Sequence, residues 1–356
     1  MKVCIIGGGL ASLTLASVLI KKDIFVDILS AKKNILYDQS RTLGISKSNI
    51  DYFNKEIANI KKISWEIKKI KIFTEKKNDE ELLKFDNKNN QIFSIIRNYK
   101  LQKLLFESLK KNKFIKFKNN LNINSSKYKL VIICDPTHSY IKKYFSKKIE
   151  KNYKSFAYTT IISHKRIKND TAFQNFTKNG PIAFLPLSDT ETSIVYSLRS
   201  NKKKSILEMN DLVKKYNPIY SIKTFNDWKN FNLKSSSLRN YYKDNILAFG
   251  DLLHKLHPLA GQGFNMSLRD IKLLSDLIDE KINLGLDLDS SIFIEFQKKT
   301  QSKNFIFLSG IDWIYELFNL ESKINFSLLN NSINFIGNNK IVNKFLKSFA
   351  DSGIRY

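Results

Sequence analysis

The chain carries VCIIGGGLASLTLASVLIKKDIFVDIL at residues 3–29, and its fold class can be predicted from this segment. Residues 3–6 form a continuous apolar run, which is typical of a strand buried on both faces of a parallel sheet. Three glycines follow directly, and apolar residues then recur at helical spacing over 13–20. Residues 25–29 (FVDIL) are predicted to form the second strand. The segment therefore predicts a βαβ unit.

The glycines indicate a phosphate site. A strand that ends in G-x-G at the start of a helix exposes backbone N–H groups and the positive end of the helix dipole to a pyrophosphate. Gly7 and Gly9 fill the two glycine positions, and Ser12 stands at the third. Ser30 follows the second strand, where an acidic residue would bind an adenosine ribose. The alternative is a tight glycine turn without a ligand.

The rest of the chain predicts a second, antiparallel sheet and more helices. Apolar patterns predict strands at 129–134, 156–162, 182–187, 192–198 and 245–249, and helices over 101–109 and from about 264. Residues 51–90 are interpreted as short strands and loops, and residues 291–356 as helices.

A second motif, GDLLHKLHPLAGQGFN at 250–265, is more specific. It combines a carboxylate at a strand end, a His-Pro loop and Gly-Gln-Gly at the start of a helix. It closely resembles the flavin-contacting motif of the class A FAD monooxygenases, in particular the ubiquinone-biosynthesis hydroxylases, and Arg269 and Asp270 complete the match.

The resemblance continues outside this motif. Residues 41–45 (RTLGI) and Asn98 with Gln102 resemble two further family segments, although Arg97 stands where the family has glutamate. Residues 173–189 and 296–302 are similar to segments of the 2-octaprenyl-6-methoxyphenol hydroxylases.

The resemblance implies an α/β fold in which a Rossmann-like FAD-binding domain is interleaved with an antiparallel-sheet substrate domain, followed by a helical C-terminus. The FAD-binding domain would comprise residues 1–50, 91–135 and 240–290, and the substrate domain 51–90 and 136–239. Residues 291–356 would form the helical segment.

It also implies a set of site residues. His257, Pro258 and Gln262 would lie at the catalytic centre, and no metal is expected. His254 and His257 either contact the flavin or have a structural role, and we favour the structural role for each. Residue 136 is proline where the family has glycine after the aspartate, so the path of the chain after Asp135 should differ. The implied cofactor-binding residues are Gly7, Gly9, Ser12, Ser30, Arg41, Gln102, Asp135, Gly250, Asp251, Pro258, Gly261, Gly263, Phe264 and Asn265.

The implied activity is hydroxylation of the aromatic ring of a polyprenylated phenol in ubiquinone biosynthesis. NADH or NADPH would reduce FAD, and O₂ would form a C4a-hydroperoxyflavin. Residues 184–186 would either line a channel for the prenyl tail or lie in the sheet core. Two alternatives are a flavoprotein hydroxylase of another aromatic compound and a flavin-poor scaffold subunit of a quinone-biosynthesis assembly.

Charge and cysteine content bear on partners and location. The 60 Lys and Arg residues against 33 Asp and Glu give a net charge of +27, but only seven are Arg. A/T-rich codon usage explains the lysines, and weak attraction to anionic lipid is the alternative; no nucleic-acid partner is expected.

Cys4 and Cys134 lie in apolar runs, typical of reduced cytoplasmic thiols. The most apolar stretch, 305–318, contains Asp312, so any contact with the inner face of the cytoplasmic membrane would be peripheral.

Overall fold

The predicted βαβ unit is present in the computed structural model, which describes residues 1–30, 39–75, 81–86, 90–119, 123–200, 203–256 and 263–323. It consists of β1 (Lys2–Ile6), α1 (Leu10–Ile20) and β2 (Phe25–Leu29). The two strands pair in parallel, from Lys2↔Phe25 to Ile6↔Leu29. Every residue after the first of each strand is buried, which explains the continuous apolar runs.

After β2 the chain continues through further strands and helices. The strands are β3 (Thr42–Ser46), β4 (Ser64–Ile67), β5 (Lys69–Thr74), β6 (Glu81–Asp86), β7 (Phe93–Arg97), β8 (Ile115–Lys118), β9 (Leu130–Ile133), β10 (Lys148–His164), β11 (Thr171–Thr177), β12 (Gly180–Pro186), β13 (Glu191–Arg199), β14 (Ile222–Phe225), β15 (Lys229–Leu238), β16 (Tyr242–Lys243), β17 (Ile246–Ala248) and β18 (His254–Lys255). The helices are α2 (Lys47–Glu56), α3 (Asn98–Lys110), α4 (Ser139–Tyr144), α5 (Ile206–Lys215), α6 (Gly263–Asn283) and α7 (Ser291–Lys323).

The first sheet has the strand order β16-β17-β9-β1-β2-β8. All of its pairings are parallel except the β16–β17 hairpin. Because β1, β9 and β17 are neighbours, the segments that follow Ile6, Ile133 and Ala248 come together at one edge of this sheet. Helices α1 and α6 pack against each other, and their buried side chains belong to the same core cluster as the strands.

The second sheet contains the long strand β10. Its main order is β18-β15-β10-β13-β12-β11-β5-β6, and β14 also pairs with β10. The predicted antiparallel arrangement of 153–200 is confirmed for β10, β11, β12 and β13. A parallel pairing between β11 and β5 joins residues 69–74 to it. One face is covered by α5, whose Met209 and Val213 lie in a cluster with Phe184 and Tyr196.

A third, antiparallel sheet of order β3-β7-β4 lies beside the other two. The interpretation of 51–90 as strands and loops was wrong for its first residues, since 51–56 belong to α2. That helix buries only Asn49, Ile50 and Phe53. Because only these three positions are buried in a sequence rich in Lys and Asn, its apolar periodicity was too weak to predict a helix. The boundaries predicted between the domains stay predictions.

Within the described residues, no helix is long and apolar enough to cross a membrane. No group of three or more His, Cys, Asp and Glu in the same ranges is arranged to hold a metal ion. Helix α7 accounts for 291–323 of the predicted C-terminal helices, and 324–356 lie outside the described residues.

Candidate functional site

The glycine loop connects β1 to α1. Gly7 has φ +123°, and a Cβ built on it would lie 3.1 Å from Ser12 Oγ and 3.2 Å from the Asp135 amide nitrogen. Ser12 is fully buried, so it contributes to the packing of the loop from the inner side of α1. Gly9 precedes α1 without a side-chain cap, and a Cβ built there would meet no described atom within 4 Å. No described residue therefore fills the space beside the start of α1, where the first N–H groups lack intrahelical partners.

A second helix begins in the same way at the other glycine motif. Gly263 is the first residue of α6, no acidic residue stands in its first turn, and a Cβ built on Gly263 would meet no described atom within 4 Å. No described residue therefore requires glycine at this position. His257, Pro258, Gly261 and Gln262, which the sequence places just before this helix, lie outside the described residues.

Other predicted residues surround the glycine loop. Gln102, on α3, donates a hydrogen bond from Nε2 to the Gly8 carbonyl oxygen at 3.0 Å. Ser30 follows β2, and its Oγ would lie 3.1 Å from a Cβ built on Gly8. Both side chains are partly exposed. Arg41 is exposed, and its guanidinium lies 5.7 Å from the centre of the Phe231 ring on β15.

Two carboxylates stand at the same sheet edge. Asp135 Oδ1 accepts hydrogen bonds from the Thr137 amide at 2.8 Å and from its hydroxyl at 2.7 Å, so this oxygen caps the turn before α4. The predicted departure of the chain path after Asp135 from that of the family stays a prediction. Asp251 is exposed. Gly250 has φ +67°, and its built Cβ would lie 2.9 Å from that of Ala11, so the approach to α1 requires glycine.

Asn265 and Phe264 lie in the first turn of α6 and are buried. The Asn265 amide donates to the Gly44 carbonyl at 2.7 Å, and its oxygen accepts from the Ser46 amide at 3.0 Å and from Asn49 at 2.9 Å. The side chain therefore holds β3 and α2 against α6. Its main chain, at the start of the helix, is the part that could face a ligand.

His254 lies in a buried contact with a carboxylate, and the choice between a flavin contact and a structural role stays a prediction. His254 is buried, and its Nε2 lies 2.5 Å from Asp270 Oδ2. Asn304, on α7, donates to Asp270 Oδ1 at 3.3 Å. These contacts join β18, α6 and α7, and so fix the two ends of the segment that carries the Gly-Gln-Gly motif.

The face of the second sheet opposite α5 is turned toward α6 and β3. Ala157 on this face packs with Met266 of α6 and Phe307 of α7. Farther along the same face, on β13, Ser193 Oγ lies 2.9 Å from Thr42 Oγ1 of β3. We call the residues between these contacts the central row. It takes one residue from each of five neighbouring strands, and each residue is paired with the next across the sheet: Thr159, Val195, Ala183, Gln174 and Ile72.

The central row is aliphatic except for Thr159 and Gln174. All of its members but Thr159 are only partly buried, whereas Ala172, Ser193 and Ser197 on the same face are buried. Phe184 belongs to the opposite face, where it stacks on Tyr220, and Pro186 is also buried. Leu185 lies on the α6-facing side, against Ile67, Ile95 and Ala172. Among the described residues, a partly exposed and mostly apolar surface therefore lies on the side of the sheet that faces α6.

Comparisons with known proteins agree with this geometry. The family model described as squalene epoxidase matches residues 127–323, more than half of the chain. The chain belongs to the squalene epoxidase family. Ubiquinone biosynthesis monooxygenase COQ6 of Schizosaccharomyces pombe is 24% identical over 64% of this chain and 57% of its own length. The Escherichia coli 3-demethoxyubiquinol 3-hydroxylase is 30% identical over 41% of this chain and 39% of its own.

The chain spans about half the length of these curated relatives. A crystal structure of Klebsiella pneumoniae HpxO complexed with FAD and uric acid has a TM-score of 0.76, with 11% identity, 99% of this chain covered and 97% of that one. For this member of the squalene epoxidase family, the predicted fold class is confirmed. The predicted kinship with ubiquinone hydroxylases is confirmed as well.

Sequence reasoning missed the central row and the contacts that frame it. Residues 182–187 were predicted as a strand, and alternation along it would have separated Ala183 and Leu185 from Phe184. The partners of these residues on β5, β10 and β13 depend on pairing between distant segments. No local pattern in the sequence of this family member marks that pairing.

Proposed function

We propose that this protein is an FAD-dependent monooxygenase that hydroxylates the aromatic ring of a polyprenylated phenol in ubiquinone biosynthesis, with O₂ as oxidant and NADH or NADPH as reductant. The names of its relatives support the ubiquinone pathway. The related Klebsiella structure is a complex with FAD, which supports the cofactor. Bound FAD would supply the redox and oxygen-activating chemistry.

One observation carries the proposal. A Cβ built on Gly9 or on Gly263, each at the start of a helix, meets no described atom within 4 Å, so no described neighbour requires glycine at either position. A dinucleotide cofactor needs its pyrophosphate at one helix N-terminus and, when its flavin is reduced, positive potential near the ring. The residues present therefore fit FAD.

The chain's own groups have distinct tasks in this proposal. The first N–H groups of α1 would bind the pyrophosphate, and Gln102 would hold the loop by its bond to the Gly8 carbonyl. Ser30 would accept a single, uncharged hydrogen bond from the ribose, and Asp251 would accept hydrogen bonds from hydroxyl groups of the ribityl chain. The N-terminus of α6 would stabilise negative charge on the reduced ring.

The central row would form the wall against which the substrate ring lies. Val195, Ala183 and Ile72 offer apolar contact, and Gln174 offers an amide that can donate to, or accept from, a ring oxygen or hydroxyl. Packing of the ring between this wall and the start of α6 would exclude water from the reacting centre. His257, Pro258 and Gln262 remain predicted catalytic residues. We also propose that the protein works in the cytoplasm, at the membrane surface and with other ubiquinone-biosynthesis proteins.

Absorbance and product analysis test the proposal. The purified protein should show oxidised-flavin absorption bands or take up added FAD, and should then consume NADH or NADPH in the presence of O₂ and a prenylphenol. Mass spectrometry should show that the product has gained one oxygen atom. A protein that binds no FAD at any concentration would contradict the enzyme proposal and favour the scaffold role. Flavin reduction with hydroxylation only of non-prenylated rings would indicate another aromatic substrate.

A further inference from the structure

A chain of three buried polar side chains joins β18, α6 and α7, and no step of the proposed reaction uses it. The side chains of His254 and Asp270 are 0% and 3% exposed, and their contact atoms, Nε2 and Oδ2, lie 2.5 Å apart. Asn304 of α7, itself buried, donates from Nδ2 to the other carboxylate oxygen, Oδ1, at 3.3 Å. We call these three residues the polar clamp.

The members of the polar clamp depend on one another. A carboxylate only accepts hydrogen bonds, so both of these bonds are donated to Asp270. The second ring nitrogen of His254, Nδ1, is buried and has no hydrogen-bond partner among the described residues, so Asp270 alone orients the imidazole by hydrogen bonding. Burial of a carboxylate costs free energy that apolar residues of similar size would not cost. This cost favours a role in fixing geometry over a role in stability alone.

The polar clamp is a second point at which α6 is tied to the second sheet. Near the start of α6, Met266 packs with Ala157 of β10. Asp270 lies one turn later on the same side of the helix, and its partner His254 is paired with Ser237 of β15. A helix that is held at one point can pivot about it, whereas a second point fixes its direction.

The direction of α6 decides where its N-terminus points. Gly263, Met266 and Asp270 follow one another at intervals of three and four residues, so they lie on one side of the helix. At about 1.5 Å per residue, Asp270 lies about 10 Å along the helix axis from Gly263. A tilt about the Met266 contact would therefore move the start of α6 relative to the central row.

We propose that the polar clamp positions the start of α6 against the central row, so that a bound flavin and a bound substrate ring are held in reacting geometry. His254, Asp270 and Asn304 are then positioning residues that touch neither cofactor nor substrate. This inference rests on the proposed function, because that function assigns the flavin to the start of α6. It adds that α7 takes part in the alignment through Asn304. A misplacement of about 1 Å between reacting groups can lower a rate about a hundredfold.

The yield of hydroxylated product per NADH or NADPH consumed, at saturating FAD, tests the inference. His254→Leu removes the donor to Asp270, and this yield should fall at least about tenfold, with one hydrogen peroxide formed from O₂ for each reductant oxidised without hydroxylation. His254→Gln keeps an N–H near the position of Nε2 and should retain at least about half of the wild-type yield. Asn304→Leu should lower the yield by about threefold, because the bond of 3.3 Å that it removes is the weaker one.

Thr300→Val is the matched control. Thr300 is buried on α7 one turn before Asn304, and its hydroxyl donates to the Phe296 carbonyl of the same helix at 2.7 Å. This variant should give the wild-type yield. An equal loss in Thr300→Val, or the wild-type yield in His254→Leu, would overturn the inference. A loss in His254→Gln as large as in His254→Leu would overturn it too, because the flavin would then need the imidazole itself.

Limited proteolysis of the FAD-free protein separates failure of the inference from failure of the proposed function. Lys255 is exposed and follows His254 directly, and Lys203 is an exposed reference site far from the clamp in sequence. Relative to cleavage after Lys203, trypsin should cleave after Lys255 at least about fivefold faster in His254→Leu and Asn304→Leu than in wild type or Thr300→Val, because loss of the clamp releases β18. Circular dichroism checks the fold, and Asn304→Leu, the milder change, decides the test if His254→Leu does not fold.

The two assays together distinguish the outcomes. Equal cleavage after Lys255 in all of these proteins would overturn the inference even if wild type binds FAD and hydroxylates its substrate. A wild-type protein that takes up no FAD, but shows the expected cleavage pattern in its variants, would contradict the proposed function and still support the clamp.

Discussion

At the scale of single residues, five of the glycines fall into two groups. Gly7, Gly180 and Gly250 have positive φ angles of 123°, 122° and 67°, and the built Cβ of Gly180 would lie only 2.0 Å from the Ser197 carbonyl oxygen. The fold itself requires these. A Cβ built on Gly9 or Gly263 meets no described atom within 4 Å, and the proposed cofactor would account for these two glycines.

The substitution Gly263→Val should separate the two kinds of glycine. We expect a folded protein with FAD affinity lower by about two orders of magnitude, equivalent to about 3 kcal/mol, because the side chain would occupy the space of the flavin edge. Circular dichroism and flavin absorbance on the same sample measure the two effects. Gly180→Val is the matched control and should fail to fold, since it collides with backbone at a positive φ. A yellow, active Gly263→Val protein would contradict the proposed flavin site.

The cysteines allow a second test at this scale. Burial raises the pKa of the Cys4 and Cys134 thiols to about 12. At pH 8 only about one thiol in ten thousand would then be ionised, compared with about a quarter for a free cysteine. Native protein should therefore resist iodoacetamide at pH 8 for hours, and mass spectrometry should find both thiols labelled in guanidinium chloride. Rapid native labelling of either cysteine would show that its surroundings are open to solvent.

At the scale of elements, strands with strong local signals were predicted well. The predicted run 25–29 coincides with β2, and 182–187 and 192–198 differ from β12 and β13 by one or two residues at each end. The helix over 101–109 begins only three residues earlier, at Asn98. Helix α2 was missed because few of its residues are apolar, and the parallel β5–β11 pairing was missed because registry between distant segments leaves no local periodicity.

Asp27 ties neighbouring segments of the first sheet together. Its Oδ2 accepts hydrogen bonds from Lys118 Nζ at 2.6 Å and the Tyr128 hydroxyl at 2.7 Å, and lies 2.9 Å from Lys2 Nζ. Burial alone would raise the pKa of the Asp27 carboxyl, but hydrogen bonds from Lys118, Lys2 and Tyr128 outweigh it and hold the pKa below its usual value. The carboxylate therefore stabilises the folded state.

Asp27→Asn should lower the free energy of unfolding at pH 7 by about 2 kcal/mol, the value of a charged hydrogen bond. Because the pKa is lowered on folding, the stabilisation is complete above about pH 5 and is lost as the pH falls through the folded pKa, so wild type and variant should converge in acid. Urea unfolding between pH 3 and 7 measures this. Asp287→Asn removes a mostly exposed pair with Lys129 and should change stability by less than about 0.5 kcal/mol. A constant difference between Asp27→Asn and wild type across the pH range would contradict the assignment.

At the scale of the whole molecule, the candidate site is made from segments far apart in the chain. Gly9, Ser30, Gln102, Asp251 and Gly263 were predicted from motifs, since each stands in or beside a short pattern with a chemical reason. The opposing wall could not be predicted, because the central row exists only after β5, β10, β11, β12 and β13 have paired. The two sides are held together by side-chain contacts between sheets.

The ion pair between Arg97 of β7 and Glu191 of β13 is one of these contacts, with Nη2 and Oε1 2.8 Å apart. Arg97 is largely buried, at 13% side-chain exposure, while Glu191 is 41% exposed. The family resemblance expects glutamate at position 97, so the arginine departs from that pattern and has a carboxylate partner in this chain. With glutamate at position 97, its carboxylate would face that of Glu191 where the second and third sheets meet.

We therefore expect Arg97→Glu to lower the free energy of unfolding by about 1–2 kcal/mol, more than a fully exposed pair would because the guanidinium is shielded from water. The double variant R97E/E191R should recover at least half of this loss, since residues in contact are coupled. Urea unfolding of wild type, both single variants and the double variant gives the coupling energy, which salt should reduce only in part. Additive losses, with no recovery in the double variant, would show that the two sheets are held by their other contacts, such as Thr42 with Ser193, and not by this pair.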